Sequence, residues 1–139
     1  AHRSSHRLNL SIKAIDECVA MSAMYAANHL HGVKAIICMT QTGQTPLLMS
    51  RISSGLPIFA FSPRPETQRR VCLYRGVMTH PFDSDLISNA QVNQEAVNQL
   101  QQLGVVIEGD IVLISKGDYV KAHGGTNTLK VVRVGQKIQ

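Results

Sequence analysis

Three threonines and two glutamines surround one glycine where a buried apolar run gives way to a helix-forming stretch. The residues of this segment are Thr40, Gln41, Thr42, Gly43, Gln44 and Thr45. Their hydroxyl and amide groups donate hydrogen bonds, and glycine lets the backbone approach a ligand closely. Backbone N–H groups at the start of a helix also attract anions. The segment therefore predicts a phosphate-binding loop, although a plain threonine-rich turn explains the same residues equally well.

The loop is not suited to transferring the phosphate that it would hold. A Walker A loop needs a Gly-Lys-Ser/Thr run whose lysine reaches the β- and γ-phosphates, and no such run follows Gly43. Asp83 and Asp85 precede a predicted helix, where capping explains them better than acid–base catalysis. His29 and His31 flank a helix end, where they interact with the helix dipole. We therefore predict no catalytic residue and no metal site in this chain.

A second polar segment, residues 116–128, follows a predicted strand and contains groups of a similar kind. Its candidate ligand-binding residues are Lys116, Lys121, His123, Gly124, Gly125 and Thr126. The lysines and the histidine could supply positive charge, and the glycine pair would let the backbone close over a ligand. The alternative is an ordinary mobile hairpin tip, because loops of this length are either functional or flexible.

The composition excludes several other classes of function. Fourteen basic and nine acidic residues give a net charge of +5, but only Arg64, Arg69, Arg70 and Arg75 cluster, and we interpret that cluster as a solvated helix face. Aromatic residues are three Phe and three Tyr, too few for a platform that stacks nucleic-acid bases. No apolar run approaches the roughly 20 residues of a membrane span. A small anionic ligand fits this balance, with no nucleic acid and no membrane as partner.

The three cysteines form no CxxC pair, and each lies within an apolar helix or strand pattern. We interpret Cys18, Cys38 and Cys72 as small buried hydrophobic residues, which predicts a reducing, cytoplasmic location. The sequence begins at Ala1 without an initiator methionine, so we expect either a fragment or a processed product.

Hydrophobic periodicity predicts alternating helices and strands, and hence an α/β fold of a single domain, residues 1–139. Helices are predicted at 11–30, 45–55, 66–75 and 88–103, with Thr45 as an N-cap and Pro46 as first helical residue. Strands are predicted at 34–39, 56–61, 77–80, 110–115 and 129–134. They form a three-layer sandwich around a mostly parallel five-stranded sheet whose last strand is antiparallel. If the fourth strand returns beside the first, loops 40–45 and 116–128 meet at the switch point.

Five segments, in this order, resemble the C-terminal domain of bacterial pyruvate kinase. They are AMSAMYAANH (20–29), AIICMTQTG (35–43), SRISSGLPIF (50–59), LYRGV (73–77) and GTNT (125–128). The resemblance extends from Leu8 to Val134 and is closest to the form activated by AMP or sugar monophosphates. It implies the same five-stranded sheet, and it implies that Thr40–Thr45 binds the phosphate of an allosteric effector.

The resemblance also bears on the number of phosphates in the effector. In members activated by fructose 1,6-bisphosphate, the loop between the last two strands brings a Trp and an Arg to a second phosphate. The corresponding stretch here, Tyr119-Val120-Lys121, lacks that pair. An effector with one phosphate is therefore expected, with Lys121 or His123 as further contacts.

For the parent enzyme, the resemblance implies the conversion of phosphoenolpyruvate and ADP to pyruvate and ATP. The catalytic lysine and the Mg²⁺ and K⁺ sites belong to a preceding barrel domain, so this chain is expected to be inactive alone and to hold no cofactor. Residues 1–8 would be the lead-in from that domain, and the 129–134 edge strand would join copies into a homo-oligomer. The alternatives are a stand-alone interaction module with a vestigial phosphate site and, against the motif evidence, an independent phosphotransferase.

Overall fold

Five strands form one sheet in the computed structural model, which describes residues 14–117 and 125–139. The strands are β1 (Val33–Met39), β2 (Ile58–Ser62), β3 (Val77–Pro81), β4 (Ile111–Lys116) and β5 (Thr128–Arg133). Their order across the sheet is β3-β2-β1-β4-β5. The first four strands are parallel, and β5 pairs antiparallel with β4. The predicted sheet is confirmed, including the return of the fourth strand to the side of the first.

Four α-helices and one short 3₁₀-helix are present in the described residues. They are α1 (Ile15–His29), α2 (Gln44–Ser50), α3 (Pro65–Val71), the 3₁₀-helix Ser84–Leu86 and α4 (Val92–Gln102). All four predicted α-helices therefore exist. Within the described ranges, no helix combines the length and the hydropathy that crossing a bilayer requires.

Three predicted helix ends are wrong for the same physical reason. The second helix was expected to run to Gly55, but it ends at Ser50, where Arg51 N–H and Ile52 N–H bond to the carbonyls of Leu48 and Met49. The third helix was expected to run to Arg75, but it ends at Val71 because the chain tightens into a turn there, with Leu73 N–H bonded to the carbonyl of Arg70. The fourth was expected from Ser88 but begins at Val92, after a turn in which Gln91 N–H bonds to the carbonyl of Ser88. Bonds of the i→i+3 type end or precede a helix without changing the local hydrophobic pattern, so periodicity does not detect them.

The sheet lies between two helical layers, as the alternation of side chains along β1 requires. Ile36 and Cys38 point into one core, which α1, α2 and α3 cover through residues such as Met24, Met49 and Val71. The residues between them, among them Ile37, point into a second core beneath α4. Nearly every residue of β1 and β4 is buried, as expected for parallel strands covered on both faces. The three-layer sandwich is therefore confirmed.

Only one of the three cysteines is buried, so the interpretation of all three as core residues is wrong. Cys18 and Cys72 are exposed, the first on the outer side of α1 and the second just after α3. Cys38 is fully buried in β1, and its thiol donates to Met49 Sδ at 3.1 Å. Burial raises the pKa of the Cys38 thiol to about 12, and the neighbouring Ser115 hydroxyl opposes that rise only in part.

Cys38 should make the protein less stable in alkaline solution. The unfolded thiol ionises near its ordinary value of 9.0, whereas the folded thiol stays neutral until about 12. Its contribution to the free energy of unfolding is therefore complete below pH 9 and is lost as the pH rises towards 12. In Cys38→Ala, we expect the loss of stability between pH 8 and pH 10 to be smaller by about 1 kcal/mol, measured by urea denaturation under reducing conditions.

The matched control is Cys72→Ala, which removes an exposed thiol. It should leave the alkaline loss of stability as it is in the unsubstituted chain. An equal effect in both variants would mean that burial of Cys38 does not set this pH dependence.

Candidate functional site

A cavity of about 390 Å³ lies at the carboxyl ends of the parallel strands. Five residues of the predicted phosphate loop line it, namely Thr40, Gln41, Thr42, Gln44 and Thr45. The second predicted loop contributes Lys116, Gly117, Gly125 and Thr126. The two loops leave adjacent strands, because Cys38 of β1 is paired with Ser115 of β4. The structure thus brings both predicted segments to the switch point of the sheet.

A hydrogen bond between two threonine side chains joins the loops directly. Thr45 Oγ1 donates to Thr126 Oγ1 at 2.9 Å, across 81 residues of sequence, and both side chains are at most 9% exposed. Buried hydroxyl pairs of this kind fix the relative position of their backbones, because breaking the bond would leave two polar atoms unsatisfied. The Thr45–Thr126 bond therefore holds the cavity closed on one side.

Thr45 is not the N-cap that the sequence predicted. The helix α2 begins at Gln44, its N-cap is Gly43, and Leu47 N–H makes an early bond back to the Gly43 carbonyl at 3.2 Å. The start moves forward because Thr40 Oγ1 accepts the Gly43 N–H at 2.8 Å, which closes a turn ahead of the helix. The Thr45 hydroxyl therefore does not cap the helix, and it bonds instead to Thr126 of the second loop.

The hydroxyls of Thr40 and Thr42 shape the loop and still have protons to donate. Thr40 Oγ1 accepts from Gly43 N–H, and Thr42 Oγ1 accepts from Gln44 N–H at 3.3 Å. An accepting hydroxyl keeps its own O–H, which can turn towards a ligand oxygen. The loop therefore presents hydroxyl donors on a backbone that the same side chains hold in place.

Helix α3 anchors the phosphate loop from behind. Thr67 Oγ1 donates to the Gln41 carbonyl at 2.7 Å, and Arg70 Nη1 donates to the Thr42 carbonyl at 2.6 Å. Two carbonyl oxygens, which would repel an anion, are thereby turned towards α3. The sequence analysis missed both anchors: Thr67 was not considered, and Arg70, although exposed as predicted, also makes this contact. Their i, i+3 spacing on one helix face was the available signal.

Gly43 does not line the cavity but lets the loop pack closely against α3. Its φ is +84°, in the left-handed region, and a Cβ built on it would lie 2.8 Å from Val71 Cγ1. Val71 is fully buried and β-branched, so its side chain has little freedom to move away. The structure thus gives Gly43 a packing role against α3, and its approach to a ligand stays a prediction.

The second loop is described in part. A Cβ on Gly117 would overlap the Gly125 carbonyl oxygen, so the two ends of the loop lie very close together. Lys116, the last residue of β4, lines the cavity from the same side. Lys121, His123 and Gly124 lie outside the described residues. Of the residues predicted in this loop, Lys116, Gly125 and Thr126 line the cavity, and their contact with a ligand stays a prediction.

Residues that the sequence analysis did not assign to the site complete the wall. Apolar groups come from Met39, Phe61, Pro63 and Val92, while Asp16, Ser84 and Asn89 add polar ones. Asp16 is in the first turn of α1, and the segment from Ser84 to Val92 leads into α4, so both helical layers contribute. The sequence pattern does not show that the N-termini of α1 and α4 lie beside the carboxyl ends of β1 and β4, because this depends on the sheet topology. The lining contains one basic residue, Lys116, in the described part of the chain.

The arrangement is suited to binding a small ligand through hydrogen bonds. Hydroxyl and amide donors surround a partly apolar space of a size typical for small ligands. Across residues 14–117 and 125–139, no group of three or more His, Cys, Asp or Glu side chains is placed to hold a metal ion.

Comparison with known proteins gives one consistent family. The family model for the pyruvate kinase α/β domain matches residues 17–132. Pyruvate kinase II of Salmonella typhimurium is 48% identical over 131 residues, which are 94% of this chain and 27% of that protein. Pyruvate kinase of Haemophilus influenzae is 48% identical over 126 residues, which are 90% of this chain and 25% of that protein.

A solved structure agrees with these sequence relatives. The crystal structure of a pyruvate kinase from Cryptosporidium parvum matches with a TM-score of 0.76 at 27% identity, covering 94% of this chain and 25% of that one. The chain thus spans about a quarter of the length of the relatives it matches.

Replacing Gly43 with alanine should lower the free energy of unfolding by more than the strain of its left-handed backbone alone would. Gly43→Ala combines left-handed strain with the contact to Val71, and we expect a loss of about 3 kcal/mol. Gly55→Ala is the matched control, since Gly55 has a φ of +74° and no atom within 4 Å of the point where a Cβ would lie, so about 1–2 kcal/mol is expected. Urea denaturation measures both; equal losses would contradict a packing role for Gly43.

Proposed function

The chain belongs to the pyruvate kinase family as its C-terminal α/β domain, and we propose that it binds a phosphorylated allosteric effector in the cavity beside Thr40–Thr45. The observation that carries this proposal is the Thr45–Thr126 bond, which brings two donor-rich loops from separate parts of the sequence around one space. A threonine-rich turn with no ligand would not require a second polar loop to close over it.

The donors around the cavity favour a phosphate. Thr40 and Thr42 offer hydroxyl protons, Gln41 and Gln44 offer amide groups, and Lys116 adds a positive charge. Phosphate oxygens accept several hydrogen bonds at once, and bonds to charged acceptors are the stronger kind. Since α2 has only seven residues, we base the proposal on these side chains rather than on the helix dipole.

A single phosphate fits the described wall better than two. Apart from Lys116, the described lining has no basic side chain, and much of the remaining wall is apolar, including Phe61 and Val92. An uncharged sugar or base would contact that part. Sugar monophosphates and AMP are therefore the effectors that we propose.

We propose that phosphate transfer takes place elsewhere in the whole enzyme. The reaction would convert phosphoenolpyruvate and ADP to pyruvate and ATP, with the catalytic lysine, Mg²⁺ and K⁺ in a preceding barrel domain. The present chain would act on that site by binding its effector more tightly in the active state of the oligomer. Such coupling is reciprocal, so substrate binding would also tighten effector binding. A cytoplasmic location remains a prediction.

The edge of the sheet is the surface that we propose for association between copies. Strand β5 is at one end of the strand order, and its Val131 side chain is 52% exposed. An uncovered edge strand with apolar side chains tends to pair with another chain. Two copies related by a two-fold axis would use the same strand. This exposed edge is also what favours the second candidate function, a stand-alone interaction module whose phosphate site is vestigial.

Effector binding should raise the melting temperature of the chain. At ten times the dissociation constant, glucose 6-phosphate, ribose 5-phosphate or AMP would stabilise the fold by about 1.4 kcal/mol, or about 4 °C for a domain of this size. The double variant Thr42→Ala, Thr45→Ala removes two cavity hydroxyls and should abolish the shift. Differential scanning fluorimetry at millimolar ligand measures it.

Two single variants separate ligand binding from general destabilisation. Thr45→Ser keeps the hydroxyl that bonds to Thr126 and should retain most of the shift, whereas Thr45→Val keeps the shape and should lose it. Thr79→Val, on β3 and away from the cavity, should behave like the unsubstituted chain. No shift with any of the three ligands would count against effector binding and favour the interaction module.

Introducing a charge on the edge strand should prevent association. If copies pair through β5, Val131→Lys places a charged side chain in the interface, and the chain should sediment as a monomer at concentrations where the unsubstituted chain is a dimer. Leu73→Lys changes another exposed apolar residue, next to the opposite edge strand β3, and should leave association intact. Equal sedimentation of all three proteins by analytical ultracentrifugation would contradict pairing through β5.

A further inference from the structure

The segment that follows β5, residues 134–139, is held between α4 and β5 by a single acceptor atom. The main-chain oxygen of Gln139 accepts one hydrogen bond from Asn93 Nδ2 of α4 at 2.9 Å and another from Lys130 Nζ of β5 at 2.6 Å. Helix α4 covers one face of the sheet, whereas β5 is an edge strand. The Gln139 oxygen therefore connects a covering helix to the edge of the sheet.

The hydrogen bonding of Asn93 depends on this contact. Its side chain is fully buried in the first turn of α4, and its Oδ1 has no hydrogen-bond partner among the described residues. Releasing Gln139 would therefore leave both ends of a buried amide unsatisfied, which is unfavourable. The adjacent Val92 lines the candidate cavity, and it belongs to the same buried cluster as Ile138 of the segment. The segment thus supports the helix start that forms part of the cavity wall.

The segment is attached at its two ends, with a groove beside its middle. At its start, Val134 N–H bonds to the Asp110 carbonyl at 2.8 Å. Beyond that point, a groove of about 400 Å³ is lined by residues 130–133 of β5 and 136–139 of the segment. Segments with open space beside them open locally at a lower free energy than packed elements do. The bonds of Gln139 therefore decide whether this segment is closed.

We propose that residues 134–139 form a latch that closes on Asn93 and Lys130 when a ligand occupies the cavity. The proposal rests on the proposed function, since the ligand is the phosphorylated effector of that cavity. A ligand in contact with Val92 and Asn89 restrains the start of α4 and so favours the closed latch. The closed latch restrains β5 through Lys130. This route from the cavity to the edge strand is separate from the bond between the two loops.

Amide hydrogen exchange, followed residue by residue by NMR, tests the latch on the full 139-residue chain. Calorimetry first identifies which of glucose 6-phosphate, ribose 5-phosphate and AMP binds, and that compound is the probe. At saturation it should slow exchange in residues 134–139 by about five-fold or more, as ordinary coupling between two sites does. In Asn93→Leu, which fills the same space without the amide, the probe should still bind and the slowing should disappear.

Gln94→Leu is the matched control for Asn93→Leu. Gln94 is the next residue of the same helix, but its amide donates to Asn98 Oδ1 instead of the latch. The slowing of exchange in residues 134–139 by the probe should therefore persist in this variant.

Lys130→Met tests the latch from the side of the edge strand. It removes the ammonium group and keeps the aliphatic chain, so exchange in residues 134–139 should be faster without the probe. The slowing by the probe should persist, because Asn93 still transmits it. Arg133→Met is the control, since Arg133 lies on the same strand and donates to the Gly109 carbonyl, and it should leave exchange unchanged. This pair still tests the latch if Asn93→Leu does not fold.

The outcomes separate the latch from the function on which it rests. If a probe binds and exchange in residues 134–139 does not slow, the latch is overturned while effector binding stands. The same holds if Asn93→Leu retains the slowing, since Asn93 would then be a structural contact alone, or if Lys130→Met and Arg133→Met behave alike. If none of the three compounds binds the unsubstituted chain, the proposed function fails, and the ligand-dependent latch fails with it.

Discussion

The parallel pairing of β1 with β4 is the constraint on which the candidate site depends. The two strands are neighbours in the sheet although more than seventy residues separate them in sequence, and Ile37 of β1 is in register with Ile114 of β4. Since both strands run in the same direction, the loops that follow them leave from one edge. The Thr45–Thr126 bond is possible only because of this pairing, and a shift in register would separate the two loops.

The phosphate loop is held by its surroundings rather than by its own sequence. Its backbone carbonyls bond to Thr67 and Arg70 of α3, and Gly43 lies so close to Val71 that no side chain fits between them. A loop positioned in this way loses little conformational entropy when it binds a ligand. If the loop binds the proposed effector, this support would let a short run of uncharged donors bind it with little ordering of the backbone.

The sequence predicted the fold well and the local roles of individual residues less well. Strand alternation and the switch-point rule correctly brought loop 40–45 beside the described ends of the second loop, because buried parallel strands have a clear apolar signature. The N-cap role of Thr45 was wrong because the Thr40–Gly43 turn moves the helix start, which periodicity cannot detect. Asp16 and Val92 were not assigned to the site, since which helix start faces the cavity depends on packing between layers. Effector binding itself stays a prediction.

The position of Thr126 connects the site to the edge of the sheet. Thr126 precedes β5 by only two positions, and Asn127 N–H bonds to the Lys116 carbonyl at 3.1 Å, so the chain from the cavity to the edge strand is short and hydrogen-bonded. A ligand bound in the cavity beside Thr126 would restrict the start of β5. A second chain that pairs with β5 would then bind the ligand-bound protein and the ligand-free protein with different affinities. By linkage, pairing would change the affinity for the ligand by the same factor. If copies pair through β5 as we propose, a ligand in the cavity would influence that assembly without touching the interface, provided that the Thr45–Thr126 bond stays intact.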